Sequence, residues 1–324
     1  MSHRSLQLVT LCIGLLLMAV KFIAWWLTNS NAILSDASES IINIAAGVFA
    51  FYSLSLAAKP RDSNHPYGHG KIEFLSAGFE GGLIFLAGIG IVIKAGYNIV
   101  YPQNIQRLDL GLYLTVFSGA VNYVMGFLLE RRGRLASSLT LLASGKHLKS
   151  DAWSSLGLVF GLLIVTLTKI PVLDSVVAAV FGLVILFTGF QLMRKSIAGI
   201  MDEADYHLIE QLVQVLDEHR RPNWIDVHNF RVIKYGATLH IDCHITVPWY
   251  FSTRDSHAEV KAFEKLVVEK NELPVELFIH VDPCEPPDSC AICQKTDCTV
   301  RGAPFLYHIP WRLDNIMADQ KHSP

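Results

Sequence analysis

Hydrophobic residues occur in long, nearly unbroken runs as far as Ile200, and short polar segments separate these runs. A helix needs roughly 20 mostly apolar residues to cross the hydrocarbon core of a bilayer. Six runs reach this length and predict six transmembrane helices. They are Leu6–Leu27, Ile33–Ala57, Phe74–Val100, Leu110–Leu129, Leu141–Leu167 and Val172–Met193.

After Ile200 the pattern changes to shorter amphipathic segments with frequent charges. Two helical periodicities and three alternating, β-branched segments follow one another in the order αββαβ, which predicts a small α+β domain of roughly 80 residues. A domain of this size is near the lower limit for independent folding, so dimerisation would stabilise it. We therefore expect a transmembrane domain over residues 1–200, an α+β domain over 201–283 and a Cys-rich tail over 284–324.

The composition agrees with a membrane protein surrounded by lipid. Of the 324 residues, 51% are hydrophobic and 17% are charged, whereas soluble domains have about 25% charged residues. A net charge of −2 argues against a nucleic-acid partner, because phosphate binding requires a clustered basic surface.

The loop charges predict that both termini are cytoplasmic, because cytoplasmic loops carry an excess of Lys and Arg. Lys59, Arg61 and Lys71 follow the second span, Arg131, Arg132 and Arg134 follow the fourth, and Arg194 and Lys195 follow the sixth, whereas the other loops contain Arg107 and Lys169.

Two of the predicted spans contain polar pairs four residues apart. Glu39 and Asn43 lie on the second span, and His147 and Asp151 lie on the fifth. Residues with this spacing share one face of a helix. If the two spans touch, the four side chains form a cage of oxygen and imidazole donors, which suits a first-row divalent metal.

A purely structural interpretation of these residues remains open. His147 could be an interior histidine bonded to Asp151, with Glu39 paired to Lys21 or Lys146, since buried polar groups commonly satisfy one another. A third group, Asp62, His65 and His69, lies in the loop sequence KPRDSNHPYGHGKIE. Its spacings of three and four allow a metal site, and the alternative is a polar loop that happens to contain two histidines.

The string HPYGHGKIE, the pairs on spans two and five, the six spans and the αββαβ domain together resemble the cation diffusion facilitator family of metal exporters. The resemblance covers Leu6 to about Pro283. It implies a homodimer with a central transport site between spans two and five and a ferredoxin-like cytoplasmic domain. It also implies a cation/proton antiporter of a bacterial inner membrane that exchanges Zn(II), Fe(II), Mn(II), Co(II) or Cd(II) for protons, without an organic cofactor.

The same resemblance assigns metal-binding roles. Glu39, Asn43, His147 and Asp151 would form the transport site, and Asp62, His65 and His69 the loop site. In the α+β domain it nominates His228, His244, His257, His280 and Asp282. This chain differs from the zinc exporters of the family at two positions of span two. They have Asp or His at the position of Glu39 and Asp at the position of Asn43, and an amide contributes no negative charge. We expect Zn(II) as the substrate, with Fe(II), Co(II) and Mn(II) as close alternatives.

The tail contains the pattern C-x5-C-x2-C-x4-C, formed by Cys284, Cys290, Cys293 and Cys298. Cytoplasmic thiols stay reduced, so a disulfide framework is not expected. Four thiols in this arrangement are consistent with a tetrahedral zinc site of structural or sensing type. Free thiols and an iron–sulfur cluster are the alternatives, and the family resemblance does not extend to this segment.

Three functions can be compared on this basis. The first is proton-coupled export of a divalent metal. The second is a non-transporting metal-sensing or scaffold subunit that has lost its transport site through Asn43. The third, an intramembrane metalloenzyme, is disfavoured because the chain has no HExxH motif and no nucleophile with a partnered base.

Overall fold

The computed structural model describes residues 3–28, 31–101, 110–168, 170, 172–236, 238–271 and 273–322, and it omits the side chains of some residues within helices, including Glu39. The chain forms two compact units, Met1–Met201 and Asp202–Pro324. The predicted tail, residues 284–324, lies in the second unit.

Long helices make up the first unit. Each of the six predicted apolar runs lies within one of them, and the described bounds extend the predicted ones by a few residues. The helices are α1 His3–Thr28, α2 Asn31–Ala57, α3 Ile72–Val100, α4 Leu110–Leu135, α5 Leu139–Thr168 and α6 Val172–Ile200.

Within the described residues, α1, α2, α3 and α6 are long and apolar enough to cross a membrane. The apolar runs of α4 and α5 include residues whose side chains lie outside the described part of the structure. The polar segment Lys146–Asp151 of α5 contains two lysines, a histidine and an aspartate.

Glycines permit close packing of the helices in pairs. α3 packs along α6, and α4 packs along α5. A Cβ atom added to Gly145 on α5 would lie 2.6 Å from the backbone nitrogen of Glu130 on α4. Small residues at such crossings let helix backbones approach each other closely. Gly145 thus fixes the position of α5 two residues before His147.

The beginning of α5 is held by a carboxylate from α3. Glu73, the last residue of the HPYGHGKIE string, is 7% exposed and accepts a hydrogen bond from the Ser138 hydroxyl. It also accepts one from the Thr140 backbone N–H at 3.3 Å. An acceptor at this position satisfies a backbone donor that has no partner within the helix.

The second unit contains α7 Tyr206–Glu218, β1 Asp226–Tyr235, β2 Thr238–Val247, α8 Thr253–Glu269 and β3 Val275–Pro283, which is the predicted αββαβ order. The sheet order is β1-β2-β3. β1 pairs antiparallel with β2, and β2 pairs parallel with β3. A parallel pair requires a crossover connection, which α8 provides.

The core of the second unit lies between one face of the sheet and the helices. It includes Trp224, Phe230 and Phe263. The tail contributes Trp311 and Ile316 to the same core, and a short helix α9, Leu313–Ile316, carries the second of these. The tail therefore packs as part of the α+β unit.

Candidate metal sites

The central candidate site lies where α2 meets α5. The Asn43 side chain donates from Nδ2 to Asp151 Oδ2 at 2.7 Å, and its Oδ1 lies 3.0 Å from Nε2 of His147. His147 is 8% exposed. One amide on α2 thus bridges the predicted pair on α5.

The fourth predicted member, Glu39, lies on α2 one turn before Asn43, and its side chain is outside the described part of the structure. Lys21, the alternative partner considered for Glu39, donates to the Ser40 hydroxyl at 3.1 Å. The structure therefore brings together three of the four residues predicted for this site.

A cavity of about 60 Å³ adjoins Asn43 and His147. Glu80 on α3 also lines it and is 1% exposed. Its Oε1 accepts a hydrogen bond from the Ser144 hydroxyl at 2.7 Å. Gln7 on α1 lines the cavity too and donates to Ser144 at 3.4 Å.

Sequence reasoning missed Glu80. The signal was present, because Glu80 is the one acidic residue within the apolar sequence FLSAGFEGGLIFLAG. An ionisable group inside a membrane segment is costly and usually has a function.

The loop site forms a compact cluster between α2 and α3. Asp62 Oδ2 lies 3.3 Å from His69 Nε2, and Asp62 Oδ1 lies 3.1 Å from His65 Nδ1. One ligand atom from each residue lies within 4.8 Å of the others. Gly68, with φ of 91°, makes the turn that precedes His69, a conformation that glycine adopts without strain.

Asp62 is held as a carboxylate by its own loop. A hydrogen bond from the His65 backbone N–H, at 2.7 Å, is the main reason that the pKa of Asp62 is below its ordinary value. The site therefore presents a negative charge to a cation at neutral pH.

A third cluster lies on the sheet of the second unit. His228, His244 and His280 are directly paired across the three strands. His244 Nδ1 lies 3.1 Å from Asp282 Oδ2, and His228 Nε2 lies 3.5 Å from the same oxygen. Ligand atoms of His228, His244 and Asp282 lie within 4.8 Å of one another.

The other two predicted residues of this group differ in position. The His280 ring is 4.7 Å from that of His244, measured between centroids, so His280 lies at the edge of the cluster. His257 is exposed on α8 and belongs to neither of the two triads found among the described residues.

Asp226 contacts His228 of the cluster on the ring nitrogen that faces away from Asp282. It lies 3.2 Å from His228 Nδ1 and also contacts the imidazole of His322 in the tail. Burial opposes ionisation of Asp226, but the adjacent imidazole of His228 and the hydrogen bonds from His322 outweigh it and hold the pKa of this carboxyl well below its ordinary value. An ionised partner of this kind orients a ligating imidazole.

The four tail cysteines surround a single small cavity in the second unit, and all of them are free thiols. Among the described residues they do not form a group of three ligand atoms within 4.8 Å of one another, unlike the two clusters above. Burial raises the pKa of the Cys284 and Cys293 thiols.

Comparison with known families covers most of the chain. The model of the cation efflux transmembrane domain matches residues 7–201, and that of the cation efflux protein cytoplasmic domain matches residues 204–284.

Three relatives that align over most of their length are named as transporters or efflux proteins. An uncharacterized transporter of Synechocystis sp. is 31% identical over 286 residues, which is 88% of this chain and 92% of the relative. The manganese efflux system protein MneS of Bacillus subtilis is 25% identical over 279 residues, 86% of this chain and 94% of the relative. The cation-efflux pump FieF of Shewanella oneidensis is 24% identical over 274 residues, 84% of this chain and 91% of the relative.

An apolar helical unit with a polar cluster between two helices, followed by a small α+β unit with its own cluster, defines an integral membrane protein that handles metal cations. It is a transporter rather than an enzyme. The chain belongs to the cation diffusion facilitator family of cation efflux proteins, so the family prediction is confirmed. The matched cytoplasmic domain indicates dimerisation.

Proposed function

We propose that this protein exports a divalent transition-metal cation from the cytoplasm in exchange for protons, through a site between α2 and α5. The observation that carries the proposal is the pair of contacts from Asn43 to His147 and Asp151. These contacts bring oxygen and nitrogen donors of two helices to one point beside a cavity that polar and apolar side chains line together.

The proposed coordination shell is Glu39, Asn43, His147 and Asp151. Two carboxylates neutralise a dication, and neutrality is important where an unpaired charge costs several kcal/mol or more. When the ion enters, it replaces the Asn43 Nδ2–H as the partner of Asp151. Asn43 then offers its Oδ1, because the amide nitrogen has no lone pair for a metal.

We propose Zn(II) as the substrate, with Mn(II), Fe(II), Co(II) and Cd(II) as competitors. The imidazole of His147 favours zinc, whereas oxygen donors from the other three residues also suit Mn(II). The relative named as a manganese efflux system protein makes Mn(II) the first competitor to test.

Proton coupling follows from the ligand chemistry. A metal requires a neutral imidazole and ionised carboxylates, so metal binding releases protons and protonation releases the metal. If the site binds metal when open to the cytoplasm and protons when open to the other side, it works as an antiporter.

We further propose that all six helices cross a bacterial inner membrane with both termini in the cytoplasm. The loop site then lies on the cytoplasmic side, where Asp62, His65 and His69 can bind metal close to the spans. The α+β domain, proposed to be ferredoxin-like, forms the homodimer. Its cluster, with His257 and His280 as further candidate ligands, would sense cytoplasmic metal.

Uptake into inside-out vesicles under an imposed pH gradient, with Zn, Mn, Fe, Co and Cd in competition, tests the proposal. We expect saturable zinc uptake that collapses when the gradient is removed. Wild-type protein that binds zinc but moves no metal would support the alternative, a non-transporting sensor or scaffold subunit.

A further inference from the structure

The Cys-rich segment, Cys284–Cys298, follows directly after β3 and lies outside the residues that match the family, apart from its first residue. Its four cysteines line one cavity of about 10 Å³. This volume is close to that of a single water molecule by the same measure. The cavity therefore has room for one ion and nothing larger.

Arg301 holds the segment in a loop around this cavity. Its guanidinium donates to the carbonyl oxygens of Cys290 at 3.1 Å, Cys293 at 3.0 Å and Lys295 at 2.6 Å. A guanidinium with several donors can fix three carbonyls at once. The Cys290-Ala-Ile-Cys293 turn thus has a defined backbone conformation.

Two of the sulfur atoms accept hydrogen bonds from backbone donors. Trp249 N–H donates to Cys284 Sγ and Gly302 N–H donates to Cys290 Sγ, both at 3.4 Å. The side chains of Lys295 and Tyr250 line the same cavity. Backbone donors directed at sulfur stabilise the thiolate ligands of a bound metal.

Cationic side chains offset part of the charge that the site would carry. Four thiolates and one divalent cation sum to −2. Arg301 and Lys295 both line the cavity, and Lys295 also pairs with Asp297 at 2.8 Å. Charges are retained in a protein interior when they are paired in this way.

We propose that Cys284, Cys290, Cys293 and Cys298 bind one structural Zn(II) ion in a tetrahedral site. Zinc–sulfur bonds are about 2.3 Å long, which places the sulfur atoms of a tetrahedral site about 3.8 Å apart. The sulfur atoms must therefore move inward around the cavity when the ion binds.

The site anchors the tail to the α+β unit. Downstream of the cysteines, Trp311 is 3% exposed in the core and stacks on the Arg220 guanidinium at 4.2 Å. Ala318 O accepts from Asn229 N–H at 2.7 Å, and His322 contacts Asp226, the residue behind His228. Zinc at the cysteines thus stabilises the segment that buttresses the histidine cluster.

The test uses the full-length protein in detergent, with Co(II) replacing zinc. The transport, loop and sheet sites offer imidazole, amide and carboxylate ligands, so an intense thiolate-to-cobalt charge-transfer band reports on the cysteines. We expect this band in the wild type, together with tetrahedral d–d bands. We expect its loss or marked weakening in Cys293→Ser and its retention in the control Cys12→Ser, since Cys12 lies on α1.

A second measurement does not depend on any variant folding. Zinc should protect four thiols of the wild type from a thiol reagent, and chelation should expose them. Equal thiol reactivity with and without zinc, or a charge-transfer band that Cys293→Ser leaves unchanged, would overturn the proposal. Iron and acid-labile sulfide in the purified protein would overturn the zinc assignment in favour of a cluster.

Discussion

At the scale of single residues, Asn43 is the residue that links the two helices of the proposed central site. It is a neutral amide between a histidine and a carboxylate, where zinc exporters of the family are expected to have an aspartate. With Glu39 and Asp151 ionised and His147 neutral, the proposed site carries about −2, and an aspartate at position 43 would raise this to about −3.

Asn43→Asp should therefore change metal preference without abolishing transport. We expect stronger zinc competition against manganese, because the added carboxylate increases electrostatic attraction for a tightly bound dication. Competition uptake in vesicles measures this change. Asn122→Asp is the matched control, since Asn122 lines the same cavity from α4. An identical selectivity profile for wild type and Asn43→Asp would mean that Asn43 does not face the metal.

At the scale of secondary structure, α5 is positioned from its beginning. Glu73 accepts hydrogen bonds from Ser138 and from the Thr140 backbone, and Gly145 brings α5 against α4. These contacts, at Ser138, Thr140 and Gly145, all precede His147 in α5. They hold the part of the helix that leads into its polar segment.

Glu73→Ala should destabilise the helical unit, because it leaves buried donors at the start of α5 without their acceptor. Each lost bond of this type costs about 1–3 kcal/mol. Thermal unfolding in detergent measures the effect, with exposed Glu210→Ala as the control. Glu73→Gln retains an acceptor and should lose less stability. If Glu73→Ala melts at the wild-type temperature, the carboxylate does not anchor α5.

Most elements could be predicted from the sequence because their signals are local. Long apolar runs located α1 to α6, and alternation located β1 to β3. The pair spacing predicts that His147 and Asp151 share one face of α5, and Asn43 contacts both of them in the structure. Glu80 stands out in the sequence as an acidic residue in an apolar run, but its link to Ser144 and Gln7 could not be predicted, because it arises only when three separate helices pack together.

At the scale of the whole molecule, the tail was the least predictable part. Sequence patterns showed its cysteines, but nothing local indicates that Trp311 and Ile316 fill the core of the α+β unit. These contacts join residues far apart in the chain, and so does the contact between His322 and Asp226. Such contacts form only once the sheet has folded, so no local sequence pattern predicts them.

Metal binding at the histidine cluster should stabilise the folded protein, since a ligand that binds only the native state raises its melting temperature. Asp282→Asn removes the charge shared by His228 and His244. We expect it to weaken zinc binding there by roughly tenfold or more, about 1.4 kcal/mol, and to reduce the zinc-induced shift in melting temperature.

Exposed Asp314→Asn is the control for that variant, and both variants leave the Cys-rich segment intact. Any difference between their zinc-induced shifts in melting temperature should therefore come from the histidine cluster alone. An equal zinc-induced shift in Asp282→Asn and Asp314→Asn would show that the cluster does not bind the metal that stabilises the protein.

We propose that metal crosses the membrane through the site between α2 and α5. Zinc and manganese flux into proteoliposomes under an imposed pH gradient, for wild type and Asp151→Ala at matched incorporation, tests this pathway. We predict that the variant elutes as the wild-type oligomer but transports no metal, because it lacks a carboxylate of the site. Wild-type flux through Asp151→Ala would exclude this site from the pathway.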